Sequence, residues 1–294
     1  MMHSADNWKI EVELVKYLAN QLNKGRLCIV LGAGISSSFG LPNWEKLIKN
    51  LYDAKGLTRT SSDLMVAAED YKRQNPVTYV SDVQAALYKD SVIDFKELSS
   101  HHALAAIGAL VMASKRGSSS KVITFNFDNV LELYLNYFGF VSSSQYEEKH
   151  WATNADVEIY HPHGFLSHDG KIMSYPILDQ KSYSQNIGNR TKLWNVHSIS
   201  NMLTHTCLFI GLSGNDLNLD SMIQTIIDKD NHKSIQDGYP YWGVSFINDD
   251  NKKTQWTDRK IFPFKVNSDF SNLPDFLFSI AQQAAQQRMD EYQD

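Results

Sequence analysis

The chain has 294 residues, of which 43% are hydrophobic and 21% are charged, and this composition excludes an intrinsically disordered protein. The formal net charge of −5 provides no basic field, so we expect no direct binding to nucleic acid. No apolar run approaches the ~20 residues that cross a bilayer, and charged residues interrupt the segment 1–23, so we expect a cytoplasmic protein that binds no membrane.

The two cysteines, Cys28 and Cys207, both lie inside apolar runs. Cysteines in such runs are more often small core residues than a disulfide or a redox pair, which favours a reducing compartment. The histidines do not show the spacing of a zinc site. We therefore expect neither a structural disulfide nor a bound metal.

An amphipathic helix and a buried strand open the predicted fold. Apolar residues recur at helical spacing over residues 10–23, and Gly25 follows as a stop signal. Residues 27–31 are continuously apolar, which is typical of a strand that is buried on both faces of a parallel sheet. The sequence Gly-Ala-Gly at 32–34 then requires a turn.

Helical spacing dominates from residue 43 to about residue 114. One connection between two strands does not need this much helix, so we interpret residues 43–117 as a helical insertion after the first strand and loop. This insertion would pack beside an α/β core that comprises residues 8–42 and 120–280. The whole chain, 1–294, would form a single domain.

Four later apolar runs predict further strands, with helical segments between them. The runs cover residues 121–125, 157–160, 206–210 and 241–247. Short apolar strands that alternate with helices predict an α/β fold with a Rossmann-like, doubly wound parallel sheet. The segment 282–293 reads as a solvated terminal helix.

Unusual polar residues directly follow four of these strands. They lie in loops at residues 32–36, 126–128, 161–164 and 211–216. Ligands of an open parallel sheet bind outside the carboxyl ends of its strands. We therefore expect the four loops to converge on one ligand-binding site.

The first loop has features of a phosphate-binding turn. Gly32 and Gly34 permit a sharp turn close to a pyrophosphate, and the amides and hydroxyls from Ser36 onward can donate to anionic oxygens. The dinucleotide-binding pattern is incomplete, because Ser37 occupies the position of its third glycine. A tight turn that binds no ligand is the alternative.

The second and third loops carry groups that can act on a substrate. Asn126 and Asp128 are two residues apart at a strand end, where alternation aims both side chains the same way; alternatively, either residue caps the next helix. His163 precedes Gly164, which permits close backbone approach, and an imidazole is a natural proton acceptor near neutral pH. A histidine that belongs only to the core is the alternative.

Taken together, the four loops resemble the sirtuin family. The resemblance rests on motifs in the family's order: Gly32-Ala33-Gly34-Ile35-Ser36 with Gly40-Leu41-Pro42, Asn126-Phe127-Asp128, His163-Gly164 and Gly211-Leu212-Ser213. These motifs lie within residues 27–228, and their ordered combination is far more specific than any one of them.

Two departures separate this chain from the sirtuin deacylases. With two cysteines the chain lacks their four-cysteine zinc module, and Pro42 leads into Asn43-Trp44-Glu45 instead of an Asp-Phe-Arg-like segment. The chain is more similar to the zinc-less, sirtuin-like NAD hydrolases of bacterial antiphage defence. These insert helices after the phosphate loop, and their Thr-x-Asn-x-Asp and Gly-x-Ser-x-x-Asp-x-Asn-Leu-Asp motifs match residues 124–128 and 211–220.

The resemblance implies an NAD glycohydrolase that cleaves NAD to nicotinamide and ADP-ribose, without a metal, as the effector of an antiphage, abortive-infection system. The implied catalytic residues are Asn126, Asp128 and His163, and the implied NAD-binding residues are Gly32, Ala33, Gly34, Ser36, Pro42, Gly211, Ser213 and Asp216. The alternatives are an NAD-binding or ADP-ribose-binding sensor or regulatory subunit without turnover and, less favoured, an NAD-dependent protein deacylase.

The same analogy implies a role for each catalytic residue and a need for control. Asp128 would hold the nicotinamide carboxamide, Asn126 would orient the ribose and the attacking water, and His163 would accept a proton. Unregulated NAD hydrolysis would be toxic. We therefore expect a homo-oligomer or a separate sensor subunit to control the cleft, with the N-terminal helix and residues 282–292 as candidate contact surfaces.

Overall fold

The computed structural model of the chain describes residues 8–59, 61–113, 116–146, 154–188, 193–227, 232 and 238–291. Seven strands in this part of the chain form one sheet, and all of their pairings are parallel. In chain order they are β1 (Leu27–Leu31), β2 (Lys121–Thr124), β3 (Ser142–Gln145), β4 (Val157–Tyr160), β5 (Thr206–Ile210), β6 (Gly243–Ile247) and β7 (Ile261–Lys265). Across the sheet their order is β3-β4-β2-β1-β5-β6-β7.

Helices connect the strands and cover the sheet. In chain order they are α1 (Glu11–Asn23), α2 (Trp44–Ala54), α3 (Leu64–Gln74), α4 (Tyr79–Tyr88), α5 (Phe95–Ser100), α6 (His102–Val111), α7 (Val130–Tyr137), α8 (Gln180–Gly188), α9 (Leu193–Thr204), α10 (Leu217–Ile227), α11 (Lys253–Thr257) and α12 (Leu273–Glu291). The predicted Rossmann-like, doubly wound α/β sheet is confirmed.

Strand β1 lies at the centre and is buried on both faces. Its residues Leu27, Ile29 and Leu31 join one apolar cluster, to which α1, α6 and α12 contribute. Its residues Cys28 and Val30 join a second cluster, to which α10 contributes. The continuous apolar run therefore reflects two separate cores, one on each side of the strand.

The chain changes direction across the sheet between β1 and β5. From β1 the chain continues to β2 on one side, and from β5 it continues to β6 on the other side. An open sheet binds ligands outside the carboxyl ends of its strands at such a switch point. The topology therefore places a crevice above the ends of β1 and β5.

The edge strands β3 and β7 were not predicted. The residues of β3 are Ser-Ser-Ser-Gln and are half-buried throughout, and β7 contains Pro263. Proline is tolerated at a sheet edge, where no neighbour needs its missing N–H group. Because an edge strand is only partly covered, β3 has no apolar run, and Pro263 interrupts the apolar run of β7.

Helices α2–α6 occupy the segment that was predicted to be a helical insertion. Helix α2 packs against α3 and α4, whereas α6 packs against α12 in the layer that covers the sheet. The Asn43 side chain accepts a hydrogen bond from the Lys46 amide at 2.9 Å and so caps α2 at the edge of the first loop. The division of a single domain into core and insertion stays a prediction.

The terminal segment is helical as predicted, but part of it is packed. Ala284 of α12 is fully buried, and its carbonyl accepts a hydrogen bond from the Asn23 side chain at 3.0 Å. The prediction of a solvated helix is therefore wrong for this face of α12, because small alanines among the glutamines let it lie close to α1. Residues 292 and 293 lie outside the described part of the chain.

Three further observations concern membranes, metals and thiols. None of the described helices is both long enough and apolar enough to span a membrane. Within the described ranges, no three His, Cys, Asp or Glu side chains lie together as metal ligands would. Cys28 and Cys207 are register neighbours in β1 and β5 and lie buried as free thiols.

Candidate active site

A cleft of about 500 Å³ opens above the carboxyl ends of β1, β2, β4 and β5. This volume lies within the range of small-molecule sites. All of the predicted site residues line it: Gly32, Ala33, Gly34, Ser36, Pro42, Asn126, Asp128, His163, Gly211, Ser213 and Asp216. The structure therefore brings the four predicted loops together at one place.

The first and fourth loops contact each other through their backbones. The amide of Gly32 donates to the Ile210 carbonyl at 2.9 Å, and that of Gly34 donates to the Gly211 carbonyl at 3.0 Å. A Cβ atom on Gly34 would lie 2.9 Å from the Gly211 Cα, and Gly211 itself has a φ of +71°. These glycines are therefore required by the packing of the two loops, whether or not a ligand is bound.

Asn126 connects the second loop to the first. Its Nδ2 atom donates to the Gly32 carbonyl at 3.2 Å and to the Ser36 hydroxyl at 3.1 Å. Its backbone amide donates to the Thr124 hydroxyl at 3.2 Å. The side chain is therefore held in a defined orientation across the ends of β1 and β2.

Asp128 is both a helix cap and a cleft residue. Its Oδ1 atom accepts the Val130 amide at 3.1 Å at the start of α7, and the carboxylate also accepts the Ser36 hydroxyl. Burial raises the pKa of Asp128 to about 6, against the opposing effect of these two hydrogen bonds. The carboxylate is thus costly to ionise, as expected for a charge kept in a dry site.

His163 faces Asp216 across the cleft. The distance from its Nε2 atom to Asp216 Oδ1 is 3.5 Å, which is an ion-pair distance. Among the described residues, Nε2 has no hydrogen-bond partner, although it is buried. The ring packs edge-on against Phe125 and Tyr183, with centroids 5.1 and 5.3 Å away. The imidazole is therefore held in place by apolar contacts, and its Nε2 atom faces the Asp216 carboxylate without a hydrogen bond to a described residue.

The surroundings of Asp216 favour its charged form. Burial alone would raise the pKa of Asp216, but the charge and contact of His163, the Leu219 amide and the Tyr183 hydroxyl together lower it below its usual value. The Leu219 amide donates to Oδ1 at 2.8 Å, and the Tyr183 hydroxyl donates to Oδ2 at 3.3 Å. Asp216 therefore presents a fixed negative charge to His163.

Trp44, Leu178 and Tyr183 also line the cleft and were not predicted; we call these three residues its roof. The rings of Trp44 and Tyr183 stack at 6.1 Å, and among the described residues the Trp44 Nε1 atom has no hydrogen-bond partner. The available signal for Trp44 was its position two residues after Pro42, where the chain departs from the deacylase pattern. Tyr183 lies in α8, and no motif in the sequence marks it.

A partly buried ion pair connects the helical insertion to α8. Lys72 of α3 contacts Asp179 at 3.0 Å, and the Asp179 side chain is fully buried. Asp179 also accepts the Ser182 amide at 2.9 Å at the start of α8. The pair therefore fixes α8, with Tyr183, against the insertion.

Comparison with known proteins supports the resemblance seen in the motifs. Residues 120–264 match the model of the SIR2-like domain. This segment of the chain is therefore similar to a SIR2-like domain. The matched segment contains the second, third and fourth loops of the cleft, and the glycine loop at 32–36 lies outside it.

Two curated relatives are similar to the chain beyond this SIR2-like segment. The NAD(+) hydrolase ThsA of Enterococcus faecium is 24% identical over 217 residues, which is 72% of this chain and 42% of the relative. The NAD(+) hydrolase ThsA of Bacillus cereus (strain MSX-D12) is 25% identical over 220 residues, with 73% and 43% covered. The chain thus matches less than half the length of each relative.

A solved structure extends the likeness to the whole fold. The crystal structure of a Sir2 homolog–NAD complex superposes with a TM-score of 0.50 at 12% identity, and the match covers 94% of this chain and 95% of that one. At this identity the likeness concerns the fold. The sheet and the helices that cover it therefore share the fold of a Sir2 homolog.

Proposed function

We propose that this chain is an NAD glycohydrolase that cleaves NAD to nicotinamide and ADP-ribose in the cleft. The observation that carries the proposal is the placement of Asn126, Asp128 and a His163–Asp216 pair around one cleft beside the glycine loop. Relatives named NAD(+) hydrolases support this assignment. We further propose that the activity serves bacterial antiphage defence, in which loss of NAD arrests the infected cell.

The proposed pose of NAD follows from the chemistry of the four loops. The pyrophosphate lies against the first loop, whose residues Gly32, Ala33, Gly34 and Ser36 line the cleft. The adenosine end lies near residues 211–213. This leaves the nicotinamide ribose beside Asn126, Asp128 and His163. The Sir2 homolog of similar fold was crystallised as a complex with NAD, which supports NAD as the ligand here.

Bond cleavage builds positive charge on the ribose. The bond between C1′ and the pyridine nitrogen breaks, and its electron pair goes to the nicotinamide. The buried carboxylate of Asp128, ionised above a pKa of about 6, stabilises this charge strongly because little water screens it. The same carboxylate can accept the carboxamide N–H of the leaving group.

His163 completes the reaction as a proton acceptor. A water oxygen bonds to C1′, and its proton passes to the unpartnered Nε2 atom of His163. Asp216 Oδ1 lies 3.5 Å from this same Nε2 atom, and its negative charge stabilises the imidazolium that forms. We therefore propose a second role for Asp216, which was predicted to bind NAD. Asn126, held by Gly32 and Ser36, orients the ribose and the water.

The decisive experiment is nicotinamide release from NAD by the purified chain and by two histidine variants. His163→Ala removes the proposed base, whereas His205→Ala removes a histidine at the opposite end of β5, where the ring bonds the Asn201 carbonyl. We expect release by the parent and His205→Ala and a loss of roughly 10²–10⁴-fold in His163→Ala. A folded His163→Ala as active as the parent contradicts the proposal.

The same assay, repeated with the products of neighbouring genes, tests the proposed control by a homo-oligomer or a sensor subunit. Release that requires a neighbour supports a separate sensor, and release that follows the association state supports self-assembly. Full activity of a lone monomer contradicts both.

A sensor without turnover is the second candidate, because the hydrogen bonds of Asp128 also satisfy the simple role of a helix cap. Tight NAD binding without nicotinamide release in any mixture supports it. NAD consumption that depends on an acylated peptide supports a deacylase instead.

A further inference from the structure

A histidine and a glutamate lie paired and buried behind the cleft, and the proposed mechanism does not use them. The pair consists of His161 at the end of β4 and Glu132 in α7. His161 is fully buried and Glu132 nearly so. The His161 Nε2 atom lies 2.7 Å from Glu132 Oε1. Two ionisable groups in such a place cost stability unless their partners are well arranged.

Both ring nitrogens of His161 face oxygen acceptors. Nδ1 lies 3.2 Å from the backbone carbonyl of Asn126, and Nε2 faces the Glu132 carboxyl group. The same Glu132 Oε1 atom accepts the Ser144 hydroxyl at 2.9 Å. A neutral imidazole has one N–H group, so it can donate to only one of its two neighbours. The geometry therefore favours an imidazolium that donates to both oxygens, with its charge balanced by Glu132.

His161 also belongs to the loop that carries His163. Its carbonyl accepts the Gly164 amide at 3.1 Å, and its own amide donates to the Gln145 carbonyl of β3 at 2.9 Å. Glu132 lies in α7, the helix that Asp128 caps. One imidazole thus connects the His163 loop, the Asn126 loop and α7.

We propose that Glu132 and His161 form a positioning pair for the cleft. The charged ring holds the carbonyl of Asn126, and so fixes the peptide from which the Asn126 side chain reaches Gly32 and Ser36. Neither member touches the substrate. The proposal rests on the proposed function, since it assigns these residues to the same reaction.

The loss of either charge should loosen the Asn126 peptide. In His161→Gln, the one amide NH₂ group cannot reproduce two oppositely directed donors. In Glu132→Gln, the imidazole loses the charge that balances its second proton, so it becomes neutral and must release one acceptor. Since the Nε2 partner is closer, the Nδ1 bond to Asn126 is the one we expect to be lost.

The kinetic test compares two variants with two matched controls. Glu132→Gln and His161→Gln should lower kcat by roughly 10- to 100-fold and change KM by less than about threefold, because they disturb orientation more than binding. The controls are Glu158→Gln and His205→Gln, which change the same residue types away from the cleft. Glu158 contacts Lys121 and His205 contacts the Asn201 carbonyl, and both controls should retain parental kcat. The double variant should lose little more than either single variant, because the pair acts as a unit.

A spectroscopic test separates this proposal from the proposed function. With ¹⁵N-labelled histidine, the two His161 ring nitrogens should both be protonated in the parent at neutral pH and only one in Glu132→Gln. The side-chain amide signals of Asn126 should shift in both pair variants and stay in place in the controls. If the folded parent releases no nicotinamide either alone or with the products of neighbouring genes, the proposed function fails, and these signals still decide the arrangement of the pair.

Two results overturn the proposal. One is a neutral His161 in the parent. The other is a folded Glu132→Gln or His161→Gln variant with parental kcat and unmoved Asn126 signals. Should the variants fail to fold, the protonation of His161 in the parent remains measurable, and a neutral ring there is sufficient to reject the pair.

Discussion

The Nε2 atom of His163 lies 3.5 Å from the Oδ1 atom of Asp216, so a side chain of the third loop meets one of the fourth loop in the cleft. Asp216 also caps α10 through the Leu219 amide and accepts the Tyr183 hydroxyl. The carboxylate is therefore held from three sides. This geometry supports the second role proposed for Asp216, beside binding of NAD.

The substitution Asp216→Asn should lower kcat by at least about tenfold and change KM little, because an amide does not stabilise an imidazolium. The variant keeps an oxygen for the Leu219 amide, so α10 should stay capped. Steady-state kinetics of nicotinamide release measure both constants. The matched control is Asp220→Asn, which removes an ion pair with Arg259 outside the cleft. A raised KM with parental kcat indicates a binding role instead.

Asp128→Asn should stabilise the protein and impair turnover. Burial raises the pKa of Asp128 from 3.8 to about 6, so the ionised group costs the folded state about 1–3 kcal/mol at pH 7. An asparagine oxygen can accept the same Val130 amide and Ser36 hydroxyl without this cost. Urea denaturation at pH 7 should therefore show a larger free energy of unfolding, while nicotinamide release falls.

The pH dependence of the Asp128 effect has a definite sign. Between pH 3.8 and about 6 the folded protein binds the proton of Asp128 more readily than the unfolded chain does, so this group makes the parent less stable as pH rises through that window. The advantage of Asp128→Asn should accordingly vanish near pH 4. Turnover by the parent should decline below about pH 6. If the difference in free energy of unfolding between the parent and Asp128→Asn is the same at pH 7 and near pH 4, a buried charge is contradicted.

Gly211→Ala should disrupt the cleft more than the same change at Gly25. Both glycines have positive φ, +71° and +63°, but a Cβ at Gly211 would lie 2.9 Å from the Ile35 amide nitrogen, whereas nothing lies within 4 Å at Gly25. Gly25→Ala should cost about 1 kcal/mol for the backbone conformation alone. Gly211→Ala should cost more and weaken NAD binding. Thermal denaturation measures the stability of each variant, and calorimetric titration measures its affinity for NAD. If Gly211→Ala and Gly25→Ala lose equal stability and equal affinity, the close approach of the loops is contradicted.

Lys72→Met should destabilise the protein and raise KM. It leaves the fully buried Asp179 carboxylate without its cation, at a cost of about 1–3 kcal/mol, since the Ser182 amide and hydroxyl remain as partners. Tyr183 in α8 then loses its anchor to the insertion. Lys171→Met removes an exposed partner of Asp169 and should have little effect. Equal stability and KM in the two variants contradict an anchoring role.

The same pair predicts a stability change with acid. Burial would raise the pKa of Asp179, but the Ser182 amide, Lys72 and the Ser182 hydroxyl lower it below its usual value. The contribution of Asp179 is therefore present at neutral pH and is lost as pH falls through that lowered pKa. Denaturation of the parent between pH 5 and 2.5 should show this loss, and Lys72→Met should show it at higher pH.

The central strands and the positions of the four loops could be predicted from local sequence, because β1 and β5 are covered on both faces and so consist of apolar residues throughout. The rule that ligands bind at the carboxyl ends of parallel strands then placed the site residues together. The edge strand β3 had no such signal, although its Ser144 hydroxyl reaches Glu132 behind the cleft.

Local sequence determines which segments can be buried and which loops can carry polar chemistry, since apolar patterning and turn residues act over a few neighbours. Contacts between distant segments were decided only by the folded chain. His163 meets Asp216 from a different loop, and Lys72 meets Asp179 across 107 residues. Each of these contacts helps to lower the pKa of the carboxyl group. A pattern of residue types carries no distances, so the electrostatics of this cleft emerge only when the loops are packed together.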